Sequence, residues 1–205
     1  MDSPSDPAHQ KEQLPNKIVA ALEQLNHAFR VLLWEKAQQH RLSPIQIYIL
    51  VFISSHNTQQ CRVGHLAREF GVTAATISDA VTTLESKKLL ARIAAAEDRR
   101  AFDLKLTAAG RRLAKKLGSW ADIVASAVAA LPLQSQQAGF LFLMNLISTL
   151  QKDGLAPATR ICLSCKHLGT SGAHNQSTPH YCNLLGMALT DSDLRVDCPI
   201  YERRH

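Results

Sequence analysis

The stretch from Val63 to Thr107 constrains this chain more than any other. Val63, Leu66, Ala67 and Phe70 recur at helical spacing and stop at Gly71, and Ile77, Ala80, Val81 and Leu84 form a second short apolar stripe behind Thr73, a residue type that caps helix starts. Two short helices joined by a glycine-containing turn make a helix-turn-helix. Leu89 to Ala94 and Ala101 to Leu106 then read as two short strands around the charged tip Glu97-Asp98-Arg99-Arg100. A hairpin placed directly after the second helix is a wing.

Long helices bracket this unit. Leu14, Ile18, Ala21, Leu22, Leu25, Phe29, Leu32 and Leu33 predict one amphipathic helix over 14–39. Ser43-Pro44 is a helix start signal, and the apolar run Ile45 to Ser54 predicts a buried helix. Thr107 caps a further helix expected to run through Leu113 and Leu117 to about Ala130, Pro132 breaks it, and a last helix spans about 134–150. Gly154 to Thr159 has no hydrophobic period and contains Pro157, which marks a linker. The expected organisation is a flexible N-terminus (1–13), a mainly α winged helix-turn-helix with a β-hairpin wing and flanking dimerisation helices (14–151), a linker (152–160) and a small cysteine-rich module stabilised by metal (161–205).

The formal charge of +6 favours a polyanionic partner, either nucleic acid or an anionic membrane surface. Between Arg62 and Lys116 there are twelve Lys or Arg against six acids, so this segment's excess equals that of the whole chain. A basic helix-turn-helix suits phosphate contacts and predicts a steep salt dependence. Thr73, Ala74, Ala75, Thr76 and Ser78 put small and hydroxyl-bearing side chains at the start of the second helix, where hydroxyls bond base edges and methyls touch thymine in a major groove.

The segment Leu84-Glu85, Lys88-Leu89-Leu90, Arg92, Asp98-Arg99-Arg100 and Leu104-Lys105-Leu106-Thr107 with Gly110 resembles the MarR family of winged helix-turn-helix regulators. That family's wing signature, Asp-x-Arg followed by Leu-x-Leu-Thr, is matched by Asp98, Arg100, Leu104, Leu106 and Thr107. The resemblance covers about 14–150. It implies a homodimeric transcription regulator, more often a repressor than an activator, with Arg100 in the minor groove, Asp98 orienting it or a neighbour, and Arg92 and Arg99 available to DNA. It further implies dimer contacts from the terminal helices, with Phe140, Phe142, Leu143 and Leu146 as candidates. A small aromatic ligand near Trp34 and Trp120 is also implied, the alternative being ordinary core tryptophans. One departure concerns Asp79, where many relatives carry arginine: it either reads a cytosine amino group or faces solvent, so base preference does not transfer.

The tail lies outside the resemblance. Of five cysteines, four fall in the last 45 residues: Cys162 and Cys165 form a CxxC pair, and Cys182 and Cys198 follow after gaps of sixteen and fifteen residues. Four thiolates in a weakly hydrophobic segment match a tetrahedral metal site whose binding energy would fold the segment. Zinc is slightly favoured. An iron–sulfur cluster is the alternative, because isolated cysteines and a Cys198-Pro199 step also occur in cluster ligation. His167, His174 and His180 lie close enough to substitute for a cysteine, and Cys61 stands alone as a passive thiol or a redox sensor.

There is no glycine-rich nucleotide loop and no Ser/His/Asp arrangement, so the chain is read as a non-enzyme. No apolar run approaches the roughly 20 residues that span a bilayer, and 1–13 lacks the order of a secretory signal, which makes cytoplasm the expected location. A sequence-specific DNA-binding regulator modulated by ligand, metal or redox state is therefore expected. The alternatives are an iron–sulfur electron carrier, or a metal-dependent protein-interaction module on a helical scaffold.

Overall fold

The computed structural model describes residues 13–94, 102–155, 157, 159–170 and 178–204. The chain begins with α1 (Leu14–Gln39), turns through Leu42, and enters α2 (Pro44–Ser55), whose start is fixed by the Ser43 N–H donating to Gln46 Oε1 at 3.0 Å. Next come α3 (Val63–Phe70), α4 (Ala74–Ser86), the antiparallel hairpin β1 (Leu90–Ala94) and β2 (Phe102–Leu106), and α5 (Ala108–Leu117). The hairpin register pairs Leu90 with Leu106 and Ala94 with Phe102.

Local chemistry sets the junctions. Gly71 ends α3 in the left-handed region (φ 63), which lets the Val72 N–H bond the Ala67 carbonyl at 3.0 Å and turns the chain into α4. Thr107 accepts from the Gly110 N–H at 3.0 Å while its hydroxyl donates to the Lys88 carbonyl at 2.8 Å, so the cap of α5 is also stitched to the end of α4. A Cβ on Gly110 would stand 1.9 Å from the Leu89 carbonyl oxygen, hence only glycine permits that approach. The alternate leucines of β2 point inward: Leu104 and Leu106 are buried with Ile47, Leu50, Leu66, Ile77, Leu84 and Leu117 in one core.

Beyond α5 the structure departs from expectation. The helix predicted to reach Ala130 is interrupted by a 3-10 turn at Gly118–Ala121 before α6 (Asp122–Ala129). Trp120 sits in that turn with its ring 5.9 Å from Phe29 and 6.4 Å from Tyr48, so side-chain packing onto α1 and α2 replaces a straight helix. Then α7 (Leu133–Lys152) leads to the tail, which forms a three-stranded antiparallel sheet of β3 (Leu168–Thr170), β4 (His180–Cys182) and β5 (Met187–Leu189) in sequence order. A small second core of Met144, Ile161, Cys162 and Leu194 joins the tail to α7. Phe140, a candidate dimer contact, is half-buried in the single chain and touches the margin of this second core. No helix among the described residues is long and apolar enough to cross a membrane.

Candidate nucleic-acid interface

Helix α4 buries Ile77, Ala80, Val81 and Leu84 and turns its other face outward. Thr73, Ala74, Ala75, Thr76, Asp79 and Thr82 are exposed and Ser78 is half-buried, which places most of the expected base-reading residues on one open surface at the helix start. The Thr73 hydroxyl accepts from the Thr76 N–H at 3.1 Å and lies 2.9 Å from the Thr76 hydroxyl, so both are fixed by the cap. Farther along, the Thr82 hydroxyl donates to the Ser78 carbonyl at 2.9 Å.

The hairpin stands beside this face. Arg92 on β1 is exposed but turned toward α4, with Nε 3.3 Å from Glu85 Oε2 and an amino group 3.3 Å from the Thr82 hydroxyl. Arg62, at the start of α3, holds Asp103 of β2 at 2.7 Å and locks the wing's base to the helix-turn-helix. Asp98, Arg99 and Arg100 lie outside the described residues. Exposed Lys87, Lys88, Lys105, Arg112, Lys115 and Lys116 extend the positive surface.

A cavity of about 520 Å³ lies between α1 and α2, lined by His27, Arg30, Val31, Leu33, Trp34, Pro44 and Tyr48. Trp34 therefore borders open space. Trp120 instead packs edge-on against Phe29 and Tyr48. Leu14, Leu25, Ile123, Val128, Leu131, Leu133, Phe142 and Leu143 are exposed on α1, α6, α7 and the α6–α7 connection, an apolar area that a lone chain leaves in water, whereas Leu146 is half-buried.

In the tail all four cysteines are free thiols, buried at Cys162, Cys165 and Cys198 and half-buried at Cys182. Burial pushes the Cys162 thiol up; the Arg195 N–H, donating to its sulfur at 3.2 Å, opposes that, and the nearby Cys198, Cys165 and Cys182 thiols reinforce it. Among the described residues no group of three or more His, Cys, Asp or Glu forms a ready ligand set. His167 and His180 are bound to carboxylates, Glu202 at 3.0 Å and Asp191 at 2.8 Å, while His174 lies outside the described residues. Cys61 is buried beside the hairpin, and burial, with Asp103 adding to it, pushes its thiol up to about 11.

One further cluster joins residues that are far apart in the chain. Arg160, placed at the linker's end by sequence, is 7% exposed. Its Nε donates to Asp197 at 2.7 Å, its amino groups reach Glu69 of α3 at 3.1 and 3.4 Å, and its guanidinium lies 5.2 Å above the Phe52 ring of α2. His56, stacked on Phe52, bridges to Asp197 at 2.8 Å. Burial raises the Glu69 carboxyl against the pull of Arg160, and burial lowers His65, with Arg160's charge adding to it. The only sequence signal was a lone charge next to Ile161 and Cys162.

Residues 41–101 match the family model described as MarR family. The chain is 27% identical over 99 residues to the HTH-type transcriptional repressor MdtR of Bacillus subtilis (strain 168), a match spanning 48% of this chain and 63% of that relative, less than two thirds of its length. Among solved structures it resembles the S. aureus MepR-DNA complex (TM-score 0.56, 23% identity, 64% of this chain and 96% of that one). It likewise resembles the transcriptional regulator PA3341 (TM-score 0.56, 27% identity, 66% and 98%). The fold is a winged helix of the kind these proteins share, and the family match ends well before the tail.

Proposed function

We propose that this chain is a transcription regulator that binds duplex DNA as a homodimer, a repressor rather than an activator. The observation that carries the proposal is the exposed, cap-fixed start of α4, Thr73 to Ser78 with Asp79 behind it, set beside a basic hairpin on a rigid core. The hydroxyls and methyls of Thr73, Ala74, Ala75, Thr76 and Ser78 enter the major groove, Arg100 enters the minor groove, and Arg92, Arg99 and the exposed lysines meet phosphate, with Asp98 orienting an arginine. The matches to a named repressor and to a structure solved on DNA support this reading.

Dimerisation covers the apolar surface of α1, α6 and α7. A two-fold dimer presents two α4 helices to successive major grooves, which predicts a palindromic site with half-sites about 10 base pairs apart, centre to centre. The cavity beside Trp34 and Tyr48 takes a small aromatic effector, held by ring contact and by Arg30 or His27 at its rim. Arg100→Ala tests the assignment against a duplex selected from a random library by the full-length protein. Affinity is expected to fall at least tenfold, with the salt dependence becoming shallower because one cation leaves the interface. Unchanged affinity and salt slope would remove the wing from the interface.

A further inference from the structure

Backbone bonds tie the first cysteine segment to the last. The Cys162 N–H donates to the Arg195 carbonyl and the Cys198 N–H to the Arg160 carbonyl, both at 3.0 Å, so residues 160–162 and 195–198 run side by side. This pairing sets Arg160 against Asp197, one residue before Cys198. On one side Ile161 and Cys162 pack against Met144 of α7. On the other, Arg160 grips Glu69 on α3, the helix behind the exposed α4. Three consecutive residues thus reach from the helix bearing part of the apolar dimer face to the helix that supports the reading face.

We propose that Cys162, Cys165, Cys182 and Cys198 bind one thiophilic divalent cation of the zinc class, and that the loaded tail is a strut fixing α3 and α4 relative to α7, so that cation occupancy sets DNA affinity. The strut presupposes the DNA-binding function proposed above. The paired backbones of 160–162 and 195–198 bring Cys162 and Cys198 onto adjacent segments, Cys182 pairs across the sheet with Leu168, whose N–H bonds the Cys165 carbonyl at 3.3 Å, and none of the four thiols is spent in a disulfide. The Cys165 N–H closes the CxxC turn onto the Cys162 carbonyl at 2.9 Å, and the Arg195 N–H donates to the Cys162 sulfur, a bond that offsets thiolate charge. The Nε2 atoms of His167 and His180 face Glu202 and Asp191, and the four thiols by themselves match the ligand count of a tetrahedral site. Because no finished ligand set stands among the described residues, the cation draws the sulfurs inward, and each ligating thiol releases its proton to solvent.

The energetic case rests on what else holds the tail. Its apolar contribution to the second core is Ile161, Cys162 and Leu194, with Leu163 and Leu168 at the margin, which is little for about 45 residues, a length that ordinarily needs a metal or a covalent staple. A buried guanidinium needs its N–H groups met as well as its charge balanced, and Asp197 is the acceptor for Nε. That acceptor is delivered by the cysteine frame. Loss of the cation loosens that frame, strips Asp197 from Arg160 and frees α3 from the tail, and a dimer whose two reading helices are no longer held at fixed spacing binds two half-sites less tightly.

The test uses full-length protein, zinc alone as the metal probe, and the library-selected duplex. Metal and acid-labile sulfide content are measured without DNA, and cobalt(II) replaces zinc to read the ligand set from its visible spectrum. One zinc per chain is expected, with a cobalt spectrum typical of four thiolates. Chelation under reducing conditions is expected to weaken DNA binding at least tenfold while the far-ultraviolet signal of the helices is retained. Glu69→Gln keeps the four cysteines and separates strut from site: it should hold one zinc yet bind DNA like the chelated wild type, with or without zinc. No metal, or iron with sulfide, overturns the cation site whatever the DNA result. Zinc bound with DNA affinity unchanged or tightened by chelation overturns the strut. Zinc-loaded protein that binds no duplex overturns the function beneath it, and the metal readings, taken without DNA, keep these failures distinct.

Discussion

The reading head and the tail are held together by opposite means. Among the described residues the head packs twenty buried ones into one core, from Leu33 of α1 to Leu117 of α5, with leucine and isoleucine side chains fully enclosed. The tail has strands of three residues, few enclosed apolar side chains, four free thiols and an arginine shared among carboxylates. A head of this kind tolerates changes on its surface because its stability is spread over many contacts. A tail of this kind concentrates stability in a few polar and sulfur groups, and can therefore respond to a change at one of them.

The sharpest way to break that contrast is to damage the head where it is densest. Leu84 on α4 is fully buried among Ile77, Leu90 and Leu104 in the same core. Leu84→Ala should cost about 2–5 kcal/mol, the lost transfer energy plus that of the cavity left behind. Denaturant unfolding measures it, and a loss under about 1 kcal/mol would mean the head is not the rigid platform described.

The next effect is smaller and falls on the joint between the two regions. Arg160→Met keeps length and packing over Phe52 but leaves Glu69 in a half-buried position without its cation. Removing one partner of a buried ion pair costs about 3–5 kcal/mol, and since the Asp197 side chain is 49% exposed, about 2 kcal/mol is expected here. The loss should appear as faster proteolysis of the tail, with the head's unfolding midpoint little changed. A drop confined to the head would place Arg160 in the wrong region.

Most of the head was legible because its determinants are local. Ser43-Pro44, Thr73 and Thr107 marked helix starts that the structure places within a residue, and the alternation at Leu104 and Leu106 faced the core as a two-residue period requires. The reading face followed from the same periodicity, since the stripe of Ile77, Ala80, Val81 and Leu84 leaves Ala75, Ser78, Asp79 and Thr82 on the other side, and Ala74 is open because it lies in the first turn. The break at Gly118–Ala121 was not legible: its cause is Trp120 meeting Phe29 and Tyr48, partners more than 70 residues away in the chain. Arg160 was hidden for the same reason. Its partners His56, Glu69 and Asp197 are separated from it by 104, 91 and 37 positions, and long-range polar pairing leaves no period in a sequence. The tail's strands were too short to show alternation, although its cysteines announced their own chemistry.

The smallest expected effect concerns Cys61, which belongs to the head although its residue type suggests kinship with the tail. It is 1% exposed, and burial, reinforced by Asp103, pushes its thiol up to about 11, so at pH 8 only about one molecule in a thousand carries the reactive thiolate. Iodoacetamide applied to the folded protein at pH 8 should leave Cys61 unmodified and label it only after denaturation, as peptide mapping would read. The proton bookkeeping gives the same residue a pH signature. A thiol that holds its proton more tightly when folded contributes stability that is intact below the ordinary thiol value near 9 and is lost as pH rises toward 11. Cys61→Ala should flatten that alkaline decline while leaving zinc content and DNA affinity unchanged. Rapid labelling of native Cys61 would instead make it a second reactive thiol and end the division of labour in which sulfur chemistry belongs to the tail alone.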